Sequence, residues 1–284
     1  ASTIAMSGGT LDADNSSTLS GTLTQAGNIT IDVADNKTLT YSGSAISLGA
    51  NTLTLSGGGA LSNTNALVLN HASSKLLLNS ITVGSVSTSS GSLGLDVDND
   101  STVTSLTVAH TTPVSIASGS TLSGAITVTA GSLKLSEAGT LASTISMSGG
   151  VLDADNSSTV SGTLTQAGNI TIDVADDKTL TYSGSAISLG ANTLTLTGGG
   201  NLVSGGLTLD NASSKLVLNS ITVDNVSTSH ASLGLDVDND STVTSLTVGH
   251  TTPVSIASSK TLSGAITVTA GSIKLDETGT LAST

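Results

Sequence analysis

The feature that most constrains this chain is a repeat within a repeat. The segment MSGGTLDADNSSTLSG, which begins at Met6, returns from Met147 as MSGGVLDADNSSTVSG. Roughly five positions in six are identical between the two copies, and such self-similarity indicates a repeat architecture. We therefore expect two repeat units, residues 1–141 and 142–284, that are continuous with each other and belong to a longer array.

Each copy also contains a shorter repeat of about 20 residues, which we call the beat. The beat is clearest in ITVTAGSLKLSEAGTL at 126–141, where two short alternating strands flank a glycine-containing corner and a third apolar position follows a second turn. Seven such beats fit into one copy, so the chain would hold about 14. Two places depart from it: 28–33 belongs to a longer turn of about 24 residues, and 76–83 contains an irregular corner.

Period-two alternation predicts strands of three to six residues with one buried face, and no window has helical spacing. Gly, Asn, Asp and Ser at the corners reach positive φ or bond to the local backbone. We therefore predict an all-β fold: a single-stranded parallel β-helix (β-solenoid) with about 20 residues per turn and about 14 turns. At a strand spacing of about 4.8 Å, such a rod is nearly 70 Å long.

An array of sandwich domains is the alternative architecture. It predicts hairpin signals and a core aromatic residue in each domain, whereas Tyr41 and Tyr182 are the only aromatic residues in the chain. Sandwich domains would also leave the beat of about 20 residues unexplained.

Differences between the copies indicate which side chains point inward. Positions assigned inward exchange one apolar residue for another, as expected for ladders of Leu, Ile and Val along the axis. Positions assigned to corners exchange polar, charged or small residues. The inward pairs are Leu19/Val160, Leu77/Val217 and Leu133/Ile273, and the corner pairs are Gly84/Asp224, Ser85/Asn225 and Ser120/Lys260.

The beat ITVTAGSLKL at 126–135, followed by Gly139-Thr-Leu141, resembles the β-helical repeats of bacterial autotransporter passengers and filamentous-haemagglutinin-like adhesins. The resemblance extends loosely over nearly the whole chain. It implies a right-handed parallel β-helix, secretion to the cell surface and a role as a stalk.

Composition argues against several classes of function. Seven Lys and no Arg against 20 acidic residues give a formal net charge of −13, which would repel nucleic acid. The absence of Cys removes disulfides and zinc–thiolate sites. No stretch approaches the roughly 18 apolar residues of a membrane span. No basic start followed by an apolar segment marks a secretion signal.

An enzyme is not expected, and the sequence offers no catalytic residue. A lyase acting on acidic sugars needs cations to hold the substrate carboxylate, and a glycoside hydrolase needs two carboxylates paired in a cleft. The chain has few cations and no insertion long enough to form the wall of a groove. A duplicated chain would also need two copies of any site.

Carboxylates at alternate positions form the one candidate metal site. Oxygen ligands at this spacing suit calcium, the only cofactor that the sequence suggests. An EF-hand loop would have Gly at its sixth position and Glu at its twelfth, where Ser101 and Thr107 stand. Aspartates at a solvated corner are the alternative. The candidate ligands are Asp96, Asp98 and Asp100, with their copies Asp236, Asp238 and Asp240.

Histidines and threonine pairs are weaker candidates. His71 and His230 correspond to Asn211 and Ser90 in the other copy, so no histidine cluster repeats as a metal set. We expect exposed corner positions for the histidines. Thr-x-Thr alternation would line a flat hydroxyl face as in ice-binding solenoids, although Thr also simply favours strands. The pairs are Thr22/Thr24, Thr38/Thr40 and Thr52/Thr54.

Two functions remain as expectations. The first is a structural repeat module: a stiff rod in a long, acidic fibre or adhesin stalk, extracellular or at the cell surface. Because open strand edges are adhesive, its partners would be further copies stacked end to end, together with a surface glycan or host target. The alternative is a β-solenoid module that binds calcium, carbohydrate or ice.

Overall fold

The computed structural model describes residues 3–275 and 277–283. Ala1, Ser2 and Thr284, at the outer bounds of the two expected copies, lie outside the described residues. The chain comprises two compact units, Ala1–Thr144 and Ile145–Thr284. Among the described residues, each of the 35 regular elements is a strand. Within the described ranges, no helix has the length and apolar content that crossing a bilayer requires.

The first unit contains β1 to β17 and the start of β18. Their bounds are β1 Thr3–Met6, β2 Thr10–Ala13, β3 Ser17–Leu19, β4 Thr22–Gln25, β5 Ile29–Val33, β6 Thr38–Tyr41, β7 Ile46–Ser47, β8 Thr52–Ser56, β9 Ala60–Asn63, β10 Leu67–Leu69, β11 Lys75–Asn79, β12 Thr82–Thr88, β13 Gly94–Val97, β14 Ser101–Val108, β15 Thr112–Ile116, β16 Thr121–Val128, β17 Ser132–Leu135 and β18 Thr140–Met147.

The second unit contains the end of β18 and the strands that follow. Their bounds are β19 Val151–Ala154, β20 Ser158–Val160, β21 Leu164–Gln166, β22 Ile170–Val174, β23 Thr179–Tyr182, β24 Ile187–Ser188, β25 Thr193–Thr197, β26 Asn201–Val203, β27 Leu207–Leu209, β28 Lys215–Asn219, β29 Thr222–Thr228, β30 Gly234–Val237, β31 Ser241–Val248, β32 Thr252–Ile256, β33 Thr261–Val268, β34 Ile273–Leu275 and β35 Thr280–Ser283.

Strands of successive turns stack in parallel within each unit. One stack of the first unit runs β2-β5-β8-β11-β13-β15-β17, and its equivalent in the second runs β19-β22-β25-β28-β30-β32-β34. The chain is therefore an all-β parallel β-solenoid of about 14 turns, about 20 residues apart, which confirms the predicted fold class.

Some strands are longer than the three to six residues expected. The seven-residue β12 pairs with β9 through Val83 and with β10 through Val86, so it continues around a corner of the turn. The eight-residue β14 does the same with a register shift between Val103 and Ser105. The chain bends at this corner, and the pairing resumes beyond the register shift.

Both predicted irregularities are present. Ile29 pairs with Leu53, 24 residues further along the chain, which is the expected longer turn. The corner between β11 and β12 contains Ser80 with a φ of 56°, a conformation that non-glycine residues adopt infrequently.

The core consists of in-register columns of aliphatic side chains. Burying one such side chain stabilises the fold by roughly 1.5–3 kcal/mol. No member of the following column is more than 3% exposed. From β5 to β17, the column contains Ile29, Leu53, Leu76, Leu95, Val114 and Leu135.

One inward assignment is wrong. Leu77 is half-buried on the outer face of β11, while its neighbours Leu76 and Leu78 are fully buried. Val217, the counterpart of Leu77 on β28, is also half-buried. A run of three leucines hides the alternation, and only two of the three can face the core because successive side chains of a strand point to opposite faces.

Different hydrogen bonds stabilise one equivalent corner in the two copies. Asn63 is 8% exposed, and its Nδ2 donates to the carbonyl oxygens of Asn65 and Ser85 at 2.8 Å each. A Cβ on Gly84 would lie 2.4 Å from Asn63 Oδ1. In the second copy, Ser204 stands in place of Asn63, and its backbone N–H donates to Asp224 Oδ2 at 2.8 Å. The exchange of Gly84 for Asp224 is therefore coupled to that of Asn63 for Ser204.

This coupling predicts a non-additive pair of substitutions. Gly84→Asp should lower the free energy of unfolding by about 1–3 kcal/mol through overpacking against Asn63. Asn63→Ser should cost about 1–3 kcal/mol because two carbonyl oxygens lose their donor. The double variant should recover at least about 1 kcal/mol relative to the sum in denaturant melts. Strict additivity would contradict the compensation.

Candidate functional site

The first aspartate of each candidate triplet is neutralised by a lysine. Asp96 Oδ2 lies 2.6 Å from Lys75 Nζ, and Asp236 Oδ2 lies 2.7 Å from Lys215 Nζ. Lys75 is in register with Gly94, two residues before Asp96 on β13. The lysine ammonium group therefore occupies the place beside this carboxylate that a calcium ion would take.

The third aspartate of each triplet closes a corner. Asp100 Oδ1 accepts the backbone N–H of Thr121 at 2.8 Å, and Asp240 Oδ1 accepts that of Thr261 at 2.7 Å. Asp98 is exposed just beyond the end of β13. Among the residues that the structure describes, no group of three or more acidic or histidine side chains is arranged to hold a metal ion.

A shallow hollow recurs beside this corner in both units. In the first unit its volume is about 270 Å³, and in the second about 240 Å³. Asp100 and Asp240 occupy equivalent places in the two walls, and the other lining residues are Gly, Ser, Thr and Ile. Ser80 and Ser220, which have a left-handed φ of 56°, are among the residues that line the hollow in the first and second unit.

The aspartate geometry predicts the response to calcium. Because Asp96 is paired with Lys75 and Asp100 with a backbone N–H, we expect millimolar CaCl₂ to leave the melting temperature unchanged relative to EDTA. A ligand that binds only the folded state raises this temperature by mass action. Scanning calorimetry is the measurement, with MgCl₂ at equal ionic strength as the control. A rise specific to calcium would return the triplets to consideration as a metal site.

The threonine pairs do not form one face. Thr22 and Thr24 lie on β4, which pairs with β1. The second pair lies on β6, between β3 and β9, and the third on β8, between β5 and β11. The column above Thr54 continues with Leu77 and not with another threonine. A flat array of hydroxyl groups, the feature that an ice-binding surface requires, is therefore interrupted in the first unit.

The histidines lie at corners, as predicted. His71 Nδ1 accepts the backbone N–H of Ser73 at 3.0 Å, and Asn211 Oδ1 accepts that of Ser213 at the same distance, so one acceptor replaces the other. His230 lies beside His250, with 6.1 Å between ring centroids. Comparison of the two copies did not reveal that these two histidines are neighbours. Their spacing of 20 residues, which is the length of one turn, would have predicted it.

The tyrosines have a structural role that sequence reasoning did not identify. Tyr41 is 1% exposed, and its hydroxyl accepts the backbone N–H of Leu23 at 3.1 Å from the preceding turn. Tyr182 accepts the N–H of Leu164 at 3.0 Å. Gly43 leaves room for the phenol, since a Cβ there would lie 2.5 Å from the Tyr41 hydroxyl. Each phenol thus provides an acceptor for a backbone N–H of the preceding turn.

Removing the phenol oxygen should be costly. Tyr41→Phe leaves the Leu23 N–H without this acceptor in a buried position, and we expect a loss of about 1–3 kcal/mol. Tyr182→Phe should behave alike in the second unit. Urea denaturation measures both. Variants as stable as the parent would show that the hydroxyl has no such role.

The last turn of the second unit exposes apolar side chains that are buried elsewhere. Val268 is 49% exposed and Leu275 is 55% exposed, whereas their counterparts Val128 and Leu135 are 0% and 2% exposed. The outer strands β33 and β35 pair with each other there.

Comparison with known proteins gives no relative: no protein-family model, curated protein or solved structure matches this chain.

Proposed function

We propose that this chain is a structural repeat module of a long extracellular fibre or adhesin stalk. The observation that carries the proposal is the continuity of the parallel, in-register ladders within each unit. Turns joined in this way share backbone hydrogen bonds along the axis, and each turn supports its neighbours. A module of this kind acts mechanically, as a stiff spacer.

The outer surface supports a passive role. Two of the three aspartates of the candidate site in the first unit have partners: Asp96 is bound by Lys75, and Asp100 accepts a backbone N–H. The repeated corner hollows are lined mainly by small residues. These features support a non-enzymatic module better than a catalyst, because a catalytic site needs convergent groups in a cleft.

The partners in this proposal are further copies of the same repeat. Val268 and Leu275 supply an apolar surface at the last described turn. A second copy would cover this surface with strands of the same spacing and the same alternation. End-to-end growth would then produce a fibre.

The β-helical repeats of autotransporter passengers and filamentous-haemagglutinin-like adhesins supply the closest functional analogy. The chain shares their short alternating strands and glycine-containing corners. Its acidic, cysteine-free composition suits an exposed surface. We therefore propose that the module lies outside the cell, where antibody labelling of intact cells of the source organism should detect it. Labelling only after lysis would contradict the location.

Solution scattering and sedimentation test the rod proposal. For the proposed rod we expect an elongated particle whose length grows by roughly 4.8 Å per turn. Self-association should increase with concentration. Leu275→Lys should suppress this association, whereas Leu93→Lys, at a side chain that is equally exposed but lies on a corner, should not. Compact monomers at all concentrations would contradict the proposal.

A further inference from the structure

Two imidazoles stand one above the other on a corner of the second unit. Thr228 and Val248 are register partners at the ends of β29 and β31, and His230 and His250 each lie two residues beyond them. Their ring centroids are 6.1 Å apart, and the rings are inclined by 41°. Both side chains are exposed. The arrangement is confined to this unit, because the first unit has Ser90 in place of His230.

The backbone beneath the two rings is fixed. Gly249 N–H donates to Thr228 Oγ1 at 3.1 Å, which joins the two turns directly beside the histidines. The carbonyl of His250 accepts the hydroxyl of Thr252 at 2.9 Å, and Thr252 is fully buried. When the two imidazoles converge on one ion, the freedom that they lose is therefore mainly the rotation of their side chains.

From this geometry we propose that His230 and His250 form a binding site for a divalent transition-metal ion. Neutral imidazole is the commonest protein ligand for Cu²⁺, Ni²⁺ and Zn²⁺. Metal–nitrogen bonds of about 2.0–2.1 Å keep two nitrogens bound to one ion within about 4 Å of each other. Rotation of two exposed rings from a centroid separation of 6.1 Å brings the nitrogens into that range. Water completes the coordination.

The chemistry of the site selects the ion. Two nitrogen ligands favour late first-row metals, with Cu²⁺ bound most tightly, whereas Mg²⁺ and Ca²⁺ prefer oxygen. The net charge of −13 raises the local concentration of any cation and does not distinguish among them. Selectivity for Ni²⁺ over Mg²⁺ therefore separates imidazole binding from attraction to the acidic surface.

The two copies provide matched variants for the test. Titration calorimetry of the full chain with NiCl₂ near neutral pH should detect one site that MgCl₂ does not occupy. His230→Ser installs the residue of the first copy and should weaken Ni²⁺ binding at least tenfold. His71→Asn, which installs the residue of the second copy at an unrelated corner, should leave binding unchanged.

A gain-of-site variant completes the experiment. Ser90→His should create a second Ni²⁺ site with His110, so that the stoichiometry rises from one to two. Circular dichroism melts should show that each variant retains the parent fold, since each new residue already occurs at the equivalent position of the other copy. Unchanged Ni²⁺ affinity in His230→Ser, or unchanged stoichiometry in Ser90→His, would overturn the assignment.

Discussion

Gly124→Ala is expected to lower the free energy of unfolding by about 2–5 kcal/mol. Gly124 lies on β16 with a φ of 125°, a conformation that side chains other than hydrogen strongly disfavour. An added Cβ would lie 1.7 Å from the carbonyl oxygen of Val103 on the adjacent turn. Backbone strain and overpacking therefore act together. Chemical denaturation of the variant measures the loss.

Gly119 is the matched control for this substitution. Its φ is 85°, but nothing lies within 4 Å of an added Cβ. The second copy has Ser259 at this position with a φ of 65°, so a side chain is tolerated there. Gly119→Ala should cost only about 1–2 kcal/mol, the penalty for the left-handed conformation. Equal losses at Gly119 and Gly124 would contradict close contact between neighbouring turns.

Leu78→Ala is expected to cost about 2–5 kcal/mol, the range for a leucine removed from a close-packed core. Leu78 is 0% exposed and lies in register between Leu55 and Val97. The deletion leaves a cavity within a column whose neighbours are held by backbone pairing. The neighbouring side chains can move only slightly into this cavity. We therefore expect a loss of unfolding free energy in the upper half of the stated range, measured in thermal or denaturant melts.

The adjacent Leu77 supplies the control for the core. It has the same chemistry in the same strand but lies on the outer face, in register with Thr54 and Asp96. Leu77→Ala should therefore cost less than about 1 kcal/mol. A larger loss for Leu77 than for Leu78 would mean that the register of β11 is shifted by one residue, which exchanges the two faces of a strand.

The fold was predictable from sequence because its determinants are local and repeated. Alternation such as that of Leu53 and Leu55 around Thr54 specifies a strand with one inward face. The beat of about 20 residues specifies the length of a turn, and the late partner of Ile29 follows from the longer spacing there. Leu77 was misassigned because three successive leucines contain no alternation.

The candidate site was less predictable because its contacts join different turns. The spacing of Asp96, Asp98 and Asp100 indicated calcium, but the pairing of Asp96 with Lys75 depends on register with the turn below. The same applies to the phenol of Tyr41, which accepts a hydrogen bond from a backbone group 18 residues earlier. Residues that meet across turns become visible only when the exact length of each turn is known.

Distances between spin labels on one outer column test the central claim, the parallel stacking of turns. The chain has no native cysteine, so pairs of introduced cysteines can be labelled without background. From Thr10, the in-register column climbs five turns to Ser115. Electron–electron dipolar spectroscopy should give a backbone separation of about 24 Å for Thr10→Cys with Ser115→Cys, and about 19 Å for Thr30→Cys with Ser115→Cys. Distances that do not shorten by one strand spacing between these pairs would contradict the solenoid.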